Sequence, residues 1–248
     1  MIAAIIPARF NSTRFPGKPL AEIRGESMIS RVYHQAKKAR SIERVVVATD
    51  DNRIAEHVRS FGGEVVITSG GHISGTDRCY EALGLLGHHY QYVINVQGDE
   101  PFIDPAQIDL LTGLLKDGNT ELATLIGVIR RKEMLTDPGE VKVVIDKKGE
   151  ALYFSRQPIP YLRGVDMKNW LENHTYYYHV GLYAYRSDIL EKITKLPVSL
   201  LERAESLEQL RWLEHGYRIK CAITDKESYC IETPEDIDKV LRIIASNR

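Results

Sequence analysis

The sequence predicts an α/β fold, with a doubly wound, mostly parallel sheet and an antiparallel insert. One observation is the alternation of short β-rich runs with longer stretches of helical apolar spacing. The runs IAAII, RVVVAT, EVVIT and YVINV cover residues 2–6, 44–49, 64–68 and 92–96. A second observation is the change of pattern from about residue 120, where three β-rich runs follow one another. We expect the first part to form the parallel sheet and the later part to form the insert.

The stretches between the first four runs predict helices that connect parallel strands. Residues 27–40 place four apolar side chains on one helical face, namely Ile29, Val32, Tyr33 and Ala36. Residues 50–61 have similar helical spacing. Crossovers of this kind are right-handed and cover both faces of a sheet.

The later part of the chain predicts antiparallel strands and three closing elements. The strands are expected at 122–129, 141–146 and 151–155, with the turn sequence KKGE between the last two. A helix at 206–216 that ends at Gly216 and a strand at 217–224 should follow. Thr233 as N-cap, Pro234 at the first position and Asp236 as the capping acid predict the final helix.

The chain shows no internal repeat, low-complexity tract or long linker. The prediction is therefore one domain over residues 1–248, with the antiparallel insert at about 120–200.

Composition excludes several classes of protein. The 248 residues are 43% hydrophobic and 27% charged, and Lys plus Arg total 33 against 34 for Asp plus Glu. This balance gives no general basic field, so we expect neither nucleic acid nor membrane as a partner. Three cysteines without CxxC spacing argue against a disulfide framework or a zinc site and favour the cytoplasm. The apolar run that ends at Pro7 is too short for a membrane span and lacks the basic start of a signal peptide.

The stretch PARFNSTRFPGKP, directly after the first run, places Arg9, Arg14 and Lys18 in one loop. Loops after the first strand of a doubly wound sheet commonly bind phosphate, and Arg forks with a Lys point charge suit it. Gly17 and the small residues 11–13 would let backbone N–H groups approach a ligand. The sequence matches neither a P-loop nor a GxGxxG motif. A merely solvated basic loop is the alternative.

The run VQGDEP, at the end of the fourth β-rich run, places Asp99 and Glu100 at the same edge of the predicted sheet. Carboxylates that face a phosphate loop imply a divalent cation between them, and Mg²⁺ takes one or two carboxylates plus phosphate oxygens. A helix N-cap is the alternative role for Asp99, although Asp104 is better placed for it. Glu232 in IETPED is a further acid that could face this edge, whereas Asp236 is assigned to capping.

Eight motifs together resemble one family, the 3-deoxy-manno-octulosonate (Kdo) cytidylyltransferases, over essentially the whole chain. They are PARFNSTRFPGKPL, VATDD, SGTDR, VINVQGDEP, LYFSRQPIP, HVGLYAYR, ESLEQLRWLEHG and ETPEDI. Phe10 and Phe15 stand where the family pattern has Tyr and Leu, and Glu232 stands where it has Asp.

The resemblance implies a nucleotide-diphospho-sugar transferase-like fold and a reaction. CTP and Kdo, an eight-carbon acidic sugar, would give CMP-Kdo and pyrophosphate for lipopolysaccharide biosynthesis. The C2 hydroxyl of the sugar would attack the α-phosphorus in line, a reaction that depends on positioning and charge neutralisation. Mg²⁺ is the implied cofactor, with Asp99 and Glu232 as its ligands. A cytoplasmic homodimer that uses the antiparallel region is implied as well.

The resemblance also assigns the other candidate site residues. Arg9 and Lys18 would bind the triphosphate with help from Arg14 and, with Asp99, form the catalytic set; cytosine would lie against Ala8, Ser74 and Gly75. The insert would form the sugar pocket, and the candidate sugar-binding residues are Arg78, Gln97, Arg156, His179, Tyr185, Glu208 and Gln209. For His179, Tyr185 and Glu208 the alternative is an ordinary packing or surface role.

Two other functions stay open. An N-acylneuraminate cytidylyltransferase would keep the chemistry and change the sugar, but its Gly-rich start is missing here. A nucleotide-binding protein without turnover would be favoured by loss of Lys18 or Asp99, and both are present.

Overall fold

The structure, a computed structural model, describes residues 1–87, 90–116 and 118–246. The chain divides into two compact units. Met1–Asp109 and Ser228–Arg248 form the first unit, and Leu110–Glu227 forms the second. The insert predicted at about 120–200 lies within the second unit, and the single-domain assignment stays a prediction.

The strands of the described residues are numbered in chain order. They are β1 (Ile2–Ala8), β2 (Glu22–Ile23), β3 (Glu26–Ser27), β4 (Arg44–Thr49), β5 (Val65–Ile67), β6 (Tyr92–Asn95), β7 (Leu122–Val128), β8 (Lys142–Ile145), β9 (Ala151–Ser155), β10 (Tyr177–Arg186) and β11 (Ile219–Thr224).

The α-helices are numbered in the same way. They are α1 (Met28–Lys37), α2 (Asn52–Ser60), α3 (Gly75–Leu85), α4 (Pro105–Gly113), α5 (Lys132–Thr136), α6 (Trp170–Asn173), α7 (Ser187–Thr194), α8 (Leu200–Glu205), α9 (Gln209–Glu214) and α10 (Pro234–Ser246). Single 3₁₀ turns cover Lys18–Leu20 and Met167–Asn169.

The first unit contains the predicted parallel sheet, with the strand order β6-β1-β4-β5. All three neighbouring pairs are parallel, and Ile5 of β1 pairs with both Val46 and Asn95. The central strand β1 is an almost continuous buried apolar run, as expected for a strand that is covered on both faces. Because the strands are parallel, the segments after Ala8 and after Asn95 leave the sheet at the same edge.

The helices of the first unit begin at residues that the sequence marks. Ser27 caps α1 by accepting a hydrogen bond from the backbone N–H of Ser30 at 3.2 Å. The four apolar residues predicted for the inner face of α1 are all buried, namely Ile29, Val32, Tyr33 and Ala36. The first unit therefore confirms the periodicity on which the α/β prediction rests.

The final helix begins as predicted. The Asp236 carboxylate accepts hydrogen bonds from the backbone N–H groups of Thr233 at 2.9 Å and Glu232 at 3.0 Å. Its Val240 joins a buried apolar cluster with Ile23, Met28 and Ile231. This cluster, on which Phe15 and Phe102 also pack, attaches the C-terminal helix to the rest of the first unit.

The second unit contains the antiparallel part. Strand β7 pairs with β11 in parallel and with β10 in antiparallel register, while β8 pairs with both β10 and β9 in antiparallel register. The predicted turn between β8 and β9 is confirmed. Asp146 accepts hydrogen bonds from the N–H groups of Lys148 at 2.8 Å and Glu150 at 2.9 Å, and Gly149 has the positive φ of +78° that the turn requires.

The helix predicted at 206–216 is present as α9, which covers the shorter range Gln209–Glu214. The sequence analysis did not predict α8, which begins with a Ser199–Glu202 capping box and lies before that range. Between them Ser206 adopts a left-handed conformation with φ of 53°, which a continuous helix cannot contain. Gly216, with φ of +83°, follows α9 and ends it as predicted.

One structural finding bears on membranes. Within the described ranges, no helix combines the length and the apolar character required to cross a bilayer.

The close contact of Gly127 in β7 with Tyr178 in β10 generates a prediction. A Cβ atom at position 127 would lie inside van der Waals contact of the buried Tyr178 ring. Gly127→Ala should therefore destabilise the protein by about 1–3 kcal/mol in urea unfolding, because the ring must shift within a packed core. Gly84→Ala is the matched control, since nothing lies within 4 Å of its added methyl in α3. It should be neutral or stabilise by about 0.5–1 kcal/mol. Equal stability of the two variants would contradict the overlap.

Candidate active site

Three separate segments of the first unit meet at the ammonium group of Lys18. The Nζ atom lies 2.6 Å from Asp99 Oδ2 and donates a second hydrogen bond to the carbonyl of Ile231 at 3.1 Å. The backbone N–H of Ile231 donates to the Asp99 carbonyl at 2.9 Å. The Lys18 and Asp99 side chains are only 17% and 26% exposed. The structure therefore brings the predicted basic loop and the predicted strand-end acid together.

The loop after β1 is folded back by Gly17. This residue has φ of +71°, and its N–H donates to the Phe10 carbonyl at 2.9 Å. A Cβ atom at position 17 would lie 3.2 Å from the Phe10 ring, so glycine suits both the backbone conformation and the close approach. Lys18 follows directly and begins a 3₁₀ turn.

Sequence reasoning missed a second attachment of this loop. The Arg53 guanidinium lies 3.3 Å from the centroid of the Phe10 ring. Asp51 holds the guanidinium, since it accepts hydrogen bonds from Arg53 Nε at 3.0 Å and from Nη2 at 2.6 Å. These bonds lower the pKa of Asp51. The DDNR sequence after β4 was the available signal, but nothing in it indicated an aromatic partner 43 residues earlier, at Phe10.

The two arginines of the loop are more exposed than Lys18. Arg14 forms an ion pair with Glu232, and their side chains are 63% and 49% exposed. Arg9 follows β1 and is exposed. The predicted acid Glu232 thus lies next to Ile231, whose backbone bonds to Asp99.

Asp99 and Glu232 match the donor set that Mg²⁺ uses beside phosphate. Within residues 1–87, 90–116 and 118–246, no group of three or more His, Cys, Asp or Glu side chains is arranged to hold a metal. Mg²⁺ needs no such cage, because it is commonly bound by one or two carboxylates together with phosphate oxygens and water. The Ile231–Asp99 backbone bond keeps the segments that carry the two carboxylates together, so these residues fit the predicted cofactor.

Glu100 differs from its neighbour Asp99 because it is buried. It is 5% exposed, and its Oε2 accepts a hydrogen bond from Ser228 Oγ at 3.2 Å. Burial raises the pKa of Glu100 to about 7, the charge of Asp99 adds to the rise, and the bond from Ser228 opposes it. Sequence reasoning placed both acids at the edge of the sheet but did not separate their environments.

The residues predicted to contact cytosine lie together at the end of β1. Ser74 caps α3 through a capping box with Asp77. A Cβ atom at Gly75 would lie 3.2 Å from Pro7 Cγ, and one at Gly98 would lie 2.9 Å from the Pro7 carbonyl oxygen. Both segments therefore approach Pro7 and its neighbour Ala8 closely, and the absence of side chains leaves backbone groups accessible there.

Two of the predicted sugar contacts belong to the first unit. Arg78 is buried, and its guanidinium donates to Thr68 Oγ1 at 2.6 Å and lies 3.1 Å from Asp50 Oδ1. Gln97 follows β6, and its carbonyl accepts a hydrogen bond from the Glu100 N–H at 3.3 Å.

The remaining sugar candidates belong to the second unit, where Arg156 is bonded to the segment that precedes Glu208. Its guanidinium donates to the carbonyls of Glu205, Ser206 and Pro138 at 2.7, 3.3 and 2.9 Å. Glu208 Oε1 lies 3.7 Å from Arg211 Nη2, and Gln209 is buried at the start of α9. The sugar-binding role of all seven candidates stays a prediction.

His179 and Tyr185 lie on β10 on either side of Tyr183. Tyr185 is fully buried and stacks with Tyr183 at a centroid distance of 5.9 Å. His179 Nε2 lies 3.0 Å from Thr124 Oγ1. The Thr124 hydroxyl donates its proton to the carbonyl of Leu182 at 2.9 Å. In that arrangement the imidazole N–H donates to Thr124. Burial lowers the pKa of His179 to about 3, which keeps the ring neutral at physiological pH.

Comparison with known proteins decides the family. The family model described as cytidylyltransferase matches residues 3–220 of the chain. The chain belongs to the cytidylyltransferase family. Cytidylyltransferases are nucleotidyltransferase enzymes. The enzyme class inferred from the motifs is therefore confirmed.

Two similar relatives are named 3-deoxy-manno-octulosonate cytidylyltransferase. The cytidylyltransferase described here is 54% identical to the protein from Parabacteroides distasonis over 246 residues, with 98% of this chain and 97% of the relative covered. It is 56% identical to the protein from Cytophaga hutchinsonii over 240 residues, with 96% of each covered. The resemblance drawn from the motifs is thereby confirmed.

One solved structure is of a similar enzyme, and two solved structures confirm the fold class. A CMP:2-keto-3-deoxy-manno-octonic acid synthetase in complex with CTP superimposes with a TM-score of 0.90 at 40% identity, covering 100% of this chain and 99% of that one. A 4-diphosphocytidyl-2C-methyl-D-erythritol synthase from Anaerococcus prevotii gives a TM-score of 0.64 at 14% identity, with 98% of each chain covered, and shares the fold.

The environment of His179 predicts how stability depends on pH. Its native pKa of about 3 lies below its ordinary value of 6.5. As the pH falls below that ordinary value, the unfolded chain binds a proton that the native imidazole does not bind, so the free energy of unfolding decreases. The decrease can reach about 1.4 kcal/mol per pH unit. His179→Gln lacks this contribution. In urea unfolding, the advantage of the wild type over this variant should shrink from about pH 7 to about pH 5. Parallel pH profiles would contradict a half-buried, neutral His179.

Proposed function

We propose that this cytidylyltransferase transfers CMP from CTP to the C2 hydroxyl of Kdo and releases pyrophosphate, for lipopolysaccharide biosynthesis. The observation that carries the proposal is the meeting of Lys18, Asp99 and Ile231 at the carboxyl edge of the parallel sheet. A site that joins a cation and a carboxylate from different loops can bind a triphosphate together with its metal ion, the cation through phosphate oxygens and the carboxylate through the metal. The names of the two relatives, which cover nearly the whole chain, supply the substrate.

The basic loop supplies the charge for the triphosphate. Arg9, Arg14 and Lys18 lie in the segment after β1, and the fold of Gly17 against Phe10 fixes its path. Guanidinium forks bind phosphate oxygens in pairs, and the ammonium acts as a point charge. We assign Arg9 and Lys18 to the triphosphate with help from Arg14, and the backbone near Ala8, Ser74 and Gly75 to cytosine. The sugar hydroxyl would then attack the α-phosphorus in line while these cations stabilise the departing pyrophosphate.

We propose Asp99 and Glu232 as the protein ligands of Mg²⁺. A bound Mg²⁺ would polarise phosphate oxygens and lower the pKa of the attacking hydroxyl. Glu232 is one methylene longer than the Asp of the family pattern, so its carboxylate reaches further from Ile231, whose N–H is bonded to Asp99. The ion pair of Glu232 with Arg14 supports its placement beside the phosphate loop.

We also propose a homodimer that uses the second unit. Several large apolar side chains of this unit are exposed, which is the kind of surface that subunit contacts cover. They include Leu152 at 61%, Tyr161 at 75% and Leu200 at 78%. Light scattering coupled to size exclusion should give twice the mass of the 28.2 kDa chain. A monomer mass at micromolar concentration would remove this part of the proposal.

The reaction is tested by pyrophosphate release with CTP and Mg²⁺. Kdo should support release and N-acetylneuraminate should not, and chelation by EDTA should abolish release until Mg²⁺ is restored. Asp99→Ala should lower kcat/KM by about a hundredfold or more, because it removes a proposed ligand of the Mg²⁺ that would neutralise charge on the transferring phosphate.

Asp238→Ala is the matched control, since it makes the same change on the exposed face of α10. It should leave the rate within about twofold. Release with N-acetylneuraminate would overturn the proposed sugar. Binding of CTP without pyrophosphate from either sugar would favour a nucleotide-binding protein without turnover.

A further inference from the structure

The segment that carries Glu232 belongs to no helix or strand before α10 begins at Pro234. Its position therefore depends on individual attachments. Two of these lie at Ile231, whose N–H donates to the Asp99 carbonyl at 2.9 Å and whose carbonyl accepts from Lys18 at 3.1 Å. Ile231 is also buried in the apolar cluster with Met28 and Val240.

A further attachment lies at Ser228, the first residue of the segment in this unit. Its hydroxyl donates to Glu100 Oε2 at 3.2 Å, and its Oγ lies 3.5 Å from Gln107 Nε2. Glu100 and Gln107 are only 5% and 1% exposed, whereas Ser228 is half-buried, so the bond is partly shielded from water. The bond is costly to break, because the buried Glu100 carboxylate then loses a donor that water replaces only in part.

The role of Glu100 is otherwise unexplained by the proposed chemistry. Its carboxylate is buried beside the carboxylate of Asp99, an arrangement that costs free energy in the folded protein. Apolar residues at positions 100 and 228 would fill this space at lower cost. Unlike apolar packing, a hydrogen bond is directional. The polar pair therefore fixes the position of Ser228 relative to the Asp99–Glu100 backbone.

We propose that the Ser228–Glu100 hydrogen bond positions Glu232 for divalent-cation binding, with Glu100 and Ser228 as positioning residues. The bond holds the start of the segment against the residue after Asp99, and Ile231 holds its end against Asp99 itself. With both ends attached, Glu232 leaves the segment at a fixed place relative to Asp99. This inference rests on the proposed function, since it assumes that Asp99 and Glu232 bind the cation that accompanies CTP.

The test uses Mn²⁺ as the probe, with the full chain and CTP present and no sugar. Free Mn²⁺ is measured by electron paramagnetic resonance during titration. Ser228→Ala should weaken Mn²⁺ binding by about tenfold, the range typical of residues that orient metal ligands. Ser228→Thr, which keeps the hydroxyl, should restore binding to within about threefold of the wild type. CTP binding without metal should be unchanged in both variants.

Two controls separate positioning from a general loss of structure. Ser60→Ala removes a hydroxyl that bonds the His57 carbonyl on the exposed surface of α2, and it should leave Mn²⁺ binding unchanged. Glu100→Gln keeps an acceptor for Ser228 and should cost less Mn²⁺ affinity than Ser228→Ala. If Ser228→Ala does not fold, the Mn²⁺ affinity of Glu100→Gln is compared with that of the wild type instead.

Steady-state kinetics give a second readout. In Ser228→Ala the Mg²⁺ concentration for half-maximal rate should rise about tenfold, while kcat at saturating Mg²⁺ should recover to near the wild-type value. A lower melting temperature with unchanged Mn²⁺ affinity would overturn the proposal, as would a Glu100→Gln loss equal to that of Ser228→Ala. Pyrophosphate release by the wild type with Kdo reports separately on the proposed function, because the Mn²⁺ titration contains no sugar.

Discussion

The arrangement of the candidate site depends on one interaction, the sharing of the Lys18 ammonium between the Asp99 carboxylate and the Ile231 carbonyl. Both charged side chains are largely shielded from water, so each depends on the other for compensation. Three segments that are far apart in the sequence meet at this ammonium group. Because the sheet is parallel, two of them arrive at the same edge without a special turn, and the ion pair determines their final spacing.

The third segment reaches this point through apolar packing. Ile231 belongs to the same buried cluster as Met28 and Val240, with Phe15 from the basic loop packed against it. Burial of such side chains stabilises by about 1.5–3 kcal/mol each. The C-terminal helix therefore supports the site directly, since its apolar face holds both the residue beside Glu232 and the loop that carries Arg14.

The sequence allowed the sheet, its edge and the presence of the basic loop and of Asp99 at that edge to be predicted, because these follow from periodicity and from where parallel strands end. The direct ion pair of Lys18 with Asp99 was not predicted. The contact of Arg53 with Phe10 could not be predicted in the same way. An aromatic ring and a cation 43 positions apart carry no periodic signal. Helix α8 was not predicted, and the left-handed conformation of Ser206 that separates it from α9 appears only in the backbone. The burial of Glu100 also depends on tertiary packing, since Asp99 beside it has the same charge and remains partly exposed.

The two ion pairs at the site differ in how readily they can exchange partners. Arg14 and Glu232 are 63% and 49% exposed, and surface pairs of this kind contribute about 0–1 kcal/mol. Separation of this pair therefore costs little, which leaves the guanidinium available to phosphate and the carboxylate available to a cation. Lys18 and Asp99 are 17% and 26% exposed, and Lys18 is also bonded to a backbone carbonyl. Their separation exposes two partly desolvated charges and costs more. The more buried pair thus fixes the positions of the loops, while the exposed pair can adjust to the ligand.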